Sequence, residues 1–139
     1  VSARAAELSA LCRACGLCCD GSLFGIVPLR DEERAVARAR GLPIVHERAL
    51  EQPCGALSGA GEDRSCAIYA ERPGACRAFR CRLHARHETE DRPLDERLAI
   101  VRRARQLLAA IDHAAPRDAQ TAAAIDELAE LIERDFGRA

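Results

Sequence analysis

Cys12-Arg13-Ala14-Cys15-Gly16-Leu17-Cys18-Cys19 places four sulfurs within eight residues, two of them adjacent. Four more cysteines follow at 54, 66, 76 and 81, and none occurs beyond Cys81. Thiols this crowded bind metal, form disulfides or carry redox chemistry. The Cys12-x2-Cys15 spacing lets one tight turn aim two sulfurs at a single ion, with backbone amides donating to the thiolates. Cys18 repeats that spacing. Tetrahedral zinc takes four such ligands, with sulfur at ~2.3 Å. Side chains of the adjacent Cys18 and Cys19 diverge, so one can serve an ion while the other serves a second ion or none. Eight cysteines divide into two four-sulfur sites. Cys54, Cys66, Cys76 and Cys81 are too dispersed for independent knuckles, so mixed sites are expected, each drawing on early and late cysteines.

Three chemistries compete for these sulfurs. Zinc held by four cysteines is the first reading. An iron–sulfur cluster is the second, because Cys12-x2-Cys15-x2-Cys18 matches the first three ligands of a bacterial ferredoxin run, although Cys19 follows where that run has three residues and then Cys-Pro. Disulfides are the third, disfavoured because nothing marks the chain as secreted. Cys81-x2-His84-x2-His87 adds nitrogen donors to the count. The simpler reading of these two histidines is an exposed surface pair, and the alternative is a mixed sulfur–nitrogen site with an open position. His46 and His113 have no such neighbours.

Composition narrows the function class. The chain has 139 residues, enough for one domain, but only three Phe, one Tyr and no Trp or Met to fill its core. Bound metal would supply the missing stabilisation, on the order of 10 kcal/mol in small zinc modules. All the basic residues are Arg, the pattern of a GC-rich genome, so arginine-rich stretches carry no phosphate-binding message by themselves. The formal charge is −1, without a block of like charge, which speaks against a nucleic-acid partner. No apolar run approaches the ~20 residues of a membrane span, and the sequence opens without a signal-peptide pattern. The expectation is a cytoplasmic protein, in a reducing compartment that favours metal thiolates.

No phosphate loop, nucleophile elbow or paired-histidine protease helix occurs. The glycines of residues 55–61 lack the Lys-Ser/Thr ending of a phosphate loop. The sequence thus leans away from an enzyme. Asp20 is read as a turn or cap residue, and Arg72 or Arg77 as a cation that offsets charge at the metal site.

Periodicity predicts an α-rich α+β fold in a single small domain spanning 1–139. Residues 1–90 form the cysteine-cluster region, and residues 94–136 form an antiparallel helical hairpin that braces it. A helix over 2–11 leads into a cysteine loop over 12–20, and a strand over 22–27 ends at Pro28. Asp31 caps a helix that stops at Gly41. Residues 42–50 contain a further short strand, and residues 52–64 read as loop. Pro73 opens a helix running to His87 that carries both Cys76 and Cys81. The last helices run from 94 to 113 and from 118 to 136, broken by Pro116. A protein partner or self-association would use the C-terminal pair.

The order Cys12-x2-Cys15-x2-Cys18-Cys19, then Cys54, then Cys66-Ala67-Ile68-Tyr69-x2-Arg72-Pro73-x2-Cys76-Arg77-x-Phe79 resembles the CxxCxxCC family of YkgJ-like cysteine-cluster proteins. The resemblance implies a metal-binding function, zinc or iron, on Cys12, Cys15, Cys18, Cys19, Cys54, Cys66 and Cys76, with Cys81 matching less closely. Flagellin lysine methylases carry a similar arrangement with an iron–sulfur cluster, but this chain has no recognisable methyl-donor site. The overall expectation is a zinc-chelating protein in a structural or metal-handling role. The alternative is an iron or iron–sulfur redox protein.

Overall fold

A computed structural model describes residues 2–112 and 118–139. In chain order its elements are α1 (Ala3–Cys15), β1 (Ile26–Pro28), α2 (Asp31–Ala39), β2 (Ile44–Val45), β3 (Ala49–Glu51), β4 (Leu57–Ala60) and β5 (Asp63–Cys66). A 3-10 turn (Tyr69–Glu71) follows, then α3 (Gly74–Ala78), α4 (Arg82–Thr89), α5 (Leu94–Asp112), α6 (Ala119–Leu131) and a π-helical turn (Ile132–Phe136). The α-rich α+β class is as expected. His113 and Pro116, the expected end of one helix and break before the next, lie outside the described residues.

Contacts divide the chain into two compact units, one formed by residues 1–15 with 81–139 and the other by residues 16–80. The first is helical. In α5, Val101, Ala104 and Leu107 recur at helical spacing and are all buried. Pro93 precedes the helix, and Asp95 and Glu96 place negative charge on its first turn, where exposed amides favour it. Asp118 caps α6, its Oδ1 accepting from the Thr121 amide at 2.8 Å. Arg103 Nη2 donates to Glu127 Oε1 at 2.7 Å, and Ala99 and Ile100 share a groove of about 420 Å³ with Leu131 and Arg134. Earlier residues of one helix thus meet later residues of the other, so α5 and α6 run antiparallel, as the apolar patterns predict. Leu128 and Leu131 turn this stripe of α6 into the unit.

Helix α1 packs on α4 and α5 within the same unit. Arg105 Nε donates to the Cys15 carbonyl at 2.8 Å, satisfying one of the orphan acceptors of a helix end. The Arg82 amide donates to Gly137 O at 2.9 Å, tying the start of α4 to the end of the π-helical turn.

The second unit is the β-containing one. A three-stranded antiparallel sheet has the order β1-β3-β2, with Val27 opposite Leu50 and Ile44 opposite Leu50 on its other side. Pro28 sits in β1, an edge strand, where a missing donor is tolerated. Val27, Leu50 and Ala37 of α2 form the core, with Leu29, Leu42, Ile44, Cys54, Ala75 and Cys76 packed around it. The strand expected somewhere in 42–50 is a hairpin. His46 and Glu47 turn it at φ 53° and 62°, and Arg34 Nη1 holds the Glu47 carbonyl at 3.0 Å. A second hairpin, β4–β5, occupies the stretch read as loop. Gly59 (φ 82°) and Gly61 (φ 60°) supply left-handed backbone there, and Ser58 and Ser65 pair across it at 3.0 Å.

Candidate metal centre

The structure alters the setting of the first cysteines. Cys12 and Cys15 are not in a loop. Helix α1 continues through Cys15, so they stand three residues apart on its last turns. Gly16, at φ 65°, ends the helix. The turn that follows is closed by the Cys19 and Asp20 amides, both donating to Gly16 O at 3.1 Å. Asp20 is a turn residue, as expected, its Oδ1 accepting from the Ser22 amide at 2.8 Å.

Cys81 is also placed differently. The helix expected to carry Cys76 and Cys81 together is broken at residues 79–81. Cys76 lies in α3, whereas Cys81 is the N-cap of α4, its Sγ accepting from the His84 amide at 3.4 Å. The bend is fixed by packing. The Phe79 ring meets Phe24 edge-on at 4.8 Å between centroids, and residue 81 bridges in antiparallel fashion to Arg138.

Five cysteines, Cys18, Cys19, Cys54, Cys66 and Cys76, belong to the unit 16–80, and Cys12, Cys15 and Cys81 belong to the other. Backbone bonds gather the five. The Cys54 amide donates to Cys19 O at 2.8 Å, and Gln52 Nε2 reaches Cys18 O at 3.4 Å, pinning the cysteine pair to the segment after β3. The β4–β5 hairpin then sets Cys66 opposite Leu57, whose amide donates to Cys54 O at 3.0 Å. Pro73 starts α3, and the Cys76 amide closes its first turn on Pro73 O.

Four of these thiols are shifted by burial and by their neighbours. The Sγ atoms of Cys18 and Cys19 are 3.9 Å apart. That bond holds the Cys18 thiol down to about 7, against the opposing effect of burial, and pushes the Cys19 thiol far up. Burial pushes Cys76 up to about 11, reinforced by the charges of Cys54, Cys18 and Cys66. Cys66 is raised by burial and by Cys54 and Cys18, while the Ile68 amide donating to it works in the opposite direction. An amide donating to a cysteine sulfur, the feature expected at Cys12–Cys15, occurs at Cys66 from Ile68. The positive charge of Arg72 acts to lower Cys18, Cys66 and Cys76, more weakly than burial acts on them.

No disulfide joins any of the eight cysteines, all of which lie among the described residues. Among those residues, no group of three or more His, Cys, Asp or Glu side chains is placed so that it could hold a metal ion. The donor set nevertheless fits a thiophilic cation. Burial first, and neighbouring sulfurs second, disfavour the thiolates of Cys66 and Cys76, and a bound divalent cation would offset both effects.

The matching family model, described as a "putative zinc- or iron-chelating domain", covers residues 11–96. The chain belongs to this CxxCxxCC family. Metal binding is thus the function that the family supports. No curated protein and no solved structure matches the chain. Among the described residues no helix is long and apolar enough to cross a membrane.

The histidines depart from the surface reading. His87 is fully buried, its Nε2 2.8 Å from Glu7 Oε2, and His84 is half-buried with Nδ1 2.9 Å from Glu88 Oε1. Spacing on α4 alone could not disclose this, because Glu7 is eighty residues away in sequence.

Proposed function

We propose that Cys18, Cys19, Cys54, Cys66 and Cys76 chelate zinc, in a structural or metal-handling role without catalysis. What supports the reading is the family match together with the gathering of these cysteines in one compact unit, where the Cys54 amide bonds to Cys19 O and Cys54 and Cys76 pack on the same core. Zinc bound there would supply a positive centre that holds thiolates deprotonated and ties the strand segments together. Four sulfurs complete a tetrahedral site, so one member of the adjacent pair Cys18–Cys19 is surplus. Cys54 and Cys76 also pack on the Val27–Ala37–Leu50 core, which couples metal occupancy to folding. Zinc is favoured over an iron–sulfur cluster because the ferredoxin-like spacing loses its loop: Cys12 and Cys15 are helical.

Serine substitution tests the assignment. Cys66→Ser and Cys76→Ser each lose bound zinc and melt at lower temperature than the wild type, while only one of Cys18→Ser and Cys19→Ser does so. Zinc retained at full stoichiometry in both Cys66→Ser and Cys76→Ser would contradict it.

A further inference from the structure

Adjacent cysteine side chains are expected to diverge, yet the Sγ atoms of Cys18 and Cys19 lie 3.9 Å apart, in hydrogen-bond contact. Backbone bonds hold both residues in place. The Cys19 amide donates to Gly16 O at 3.1 Å, the Cys54 amide to Cys19 O at 2.8 Å, and Gln52 Nε2 to Cys18 O at 3.4 Å. The turn is thus pinned from both sides. Cys18 is exposed and Cys19 half-buried, so a reagent in solution reaches the first, and the second stands behind it. An accessible thiol backed by a second thiol is the arrangement of redox-responsive cysteines. Five sulfurs gather in this unit where a tetrahedral ion takes four, so the pair holds the sulfur to spare.

We propose that Cys18 and Cys19 form a thiol–disulfide exchange site, at which a small disulfide oxidises the pair to a link between adjacent residues and so expels the chelated ion. This rests on the zinc-chelation reading of the same five sulfurs. Cys18 Sγ attacks one sulfur of the incoming disulfide and expels its other half as a thiolate. Cys19 Sγ then attacks Cys18 Sγ and expels the second half. Two electrons pass from the two cysteines to the small disulfide, and one S–S bond breaks as one forms. The two thiolates released take up protons, one from the cysteine that was not bound to the ion and one from water. Cys54, Cys66 and Cys76 remain, one sulfur short of a closed zinc shell, and the ion leaves.

The oxidised pair is readily reduced again. Cα atoms of adjacent residues stand about 3.8 Å apart, below the roughly 4.4–6.8 Å that disulfides ordinarily span. Closing the link therefore strains it, and a strained, exposed disulfide belongs to the labile, regulatory class. The pair thus follows the thiol–disulfide balance of its surroundings, releasing the ion when oxidised and taking it again when reduced.

The test adds oxidised glutathione to the zinc-loaded full chain without oxygen. Zinc is followed with a chromophoric chelator too weak to take the ion from the reduced protein. Remaining thiols are then blocked with iodoacetamide and the chain is digested with trypsin. Cleavage after Arg13 and Arg30 yields a peptide, residues 14–30, that holds Cys15, Cys18 and Cys19. Zinc is released in step with a form of this peptide that is blocked at Cys15 and linked between Cys18 and Cys19. A dithiol reductant followed by fresh zinc restores binding. Whichever of Cys18→Ser and Cys19→Ser keeps its zinc cannot form the link, and it releases the ion on the order of tenfold more slowly, for want of the intramolecular step. A pair that stays reduced, zinc kept by the linked protein, linkage of either sulfur to Cys54, Cys66 or Cys76, or an equal release rate in that serine variant would overturn the exchange site while leaving chelation intact. A wild type that holds no zinc before any oxidant is added would overturn the chelation reading itself, and the proposal with it.

Discussion

Single side chains in both units carry charge into half-buried positions, and their partners decide the outcome. Glu33 is shared between two helix starts. Its Oε1 accepts from the Arg30 amide at 2.8 Å and its Oε2 from the Gly74 amide at 2.5 Å. Burial acts to raise its carboxyl, but the two amides and Arg30 outweigh it and hold it below the usual range. A lowered folded-state value contributes stability above the unfolded value, near pH 4.3, that is lost as pH falls through the folded one. Glu33→Gln should therefore flatten the loss of stability on acidification below about pH 4, as read by denaturant midpoints across that range. An unchanged acid slope would contradict this account of the two helix starts. Asp135 makes a stronger case. It is almost fully buried, paired with Arg86 and with Arg134 Nε at 2.9 Å. Removing a cation leaves this buried carboxylate less compensated, so Arg86→Ala should cost roughly 3 kcal/mol in urea unfolding.

Among the elements, legibility followed how local the determining signal was. Helix α5 was readable because Leu94, Leu98, Val101, Leu108 and Ile111 follow one broad face, although the stripe it buries most deeply is Val101, Ala104 and Leu107. The α3–α4 break was not readable. No Pro or Gly marks residues 79–81, and the bend depends on Phe24 meeting Phe79 and on residue 81 bridging to Arg138, both distant in sequence. The β4–β5 hairpin was hidden by composition. Its glycines read as loop, yet Gly59 is what lets the strand approach Asp63: a Cβ there would lie 2.1 Å from the Asp63 carbonyl oxygen. With φ also at 82°, Gly59→Ala should destabilise the protein by more than about 1 kcal/mol, measured by thermal or denaturant unfolding. A neutral substitution would mean the hairpin is not required. Because Cys66 sits at the end of β5, the same variant should also weaken zinc binding.

For the molecule as a whole, the cysteine motif announced metal chelation but not the sharing of sulfurs. Sequence order places Cys12 and Cys15 beside Cys18 and Cys19, whereas contacts assign the first two to a helical unit and the last two to the unit that carries Cys54, Cys66 and Cys76. Spacing of two residues is compatible with both a knuckle and the last turn of a helix. The apolar residues preceding Cys12, with Leu11 and Ala14 buried, decide for helix. The core of the unit 16–80 is small, and two of its surrounding residues are sulfurs proposed as ligands. In this account the ion completes a core that side chains alone fill sparsely, so metal removal should unfold that unit rather than merely empty a site. The most direct measurement is elemental analysis of protein purified without oxygen, with circular dichroism before and after chelator treatment. The account predicts stoichiometric zinc, a colourless protein and loss of structure when the zinc is removed. A brown protein containing iron and sulfide, or a metal-free chain that keeps its fold, would contradict it.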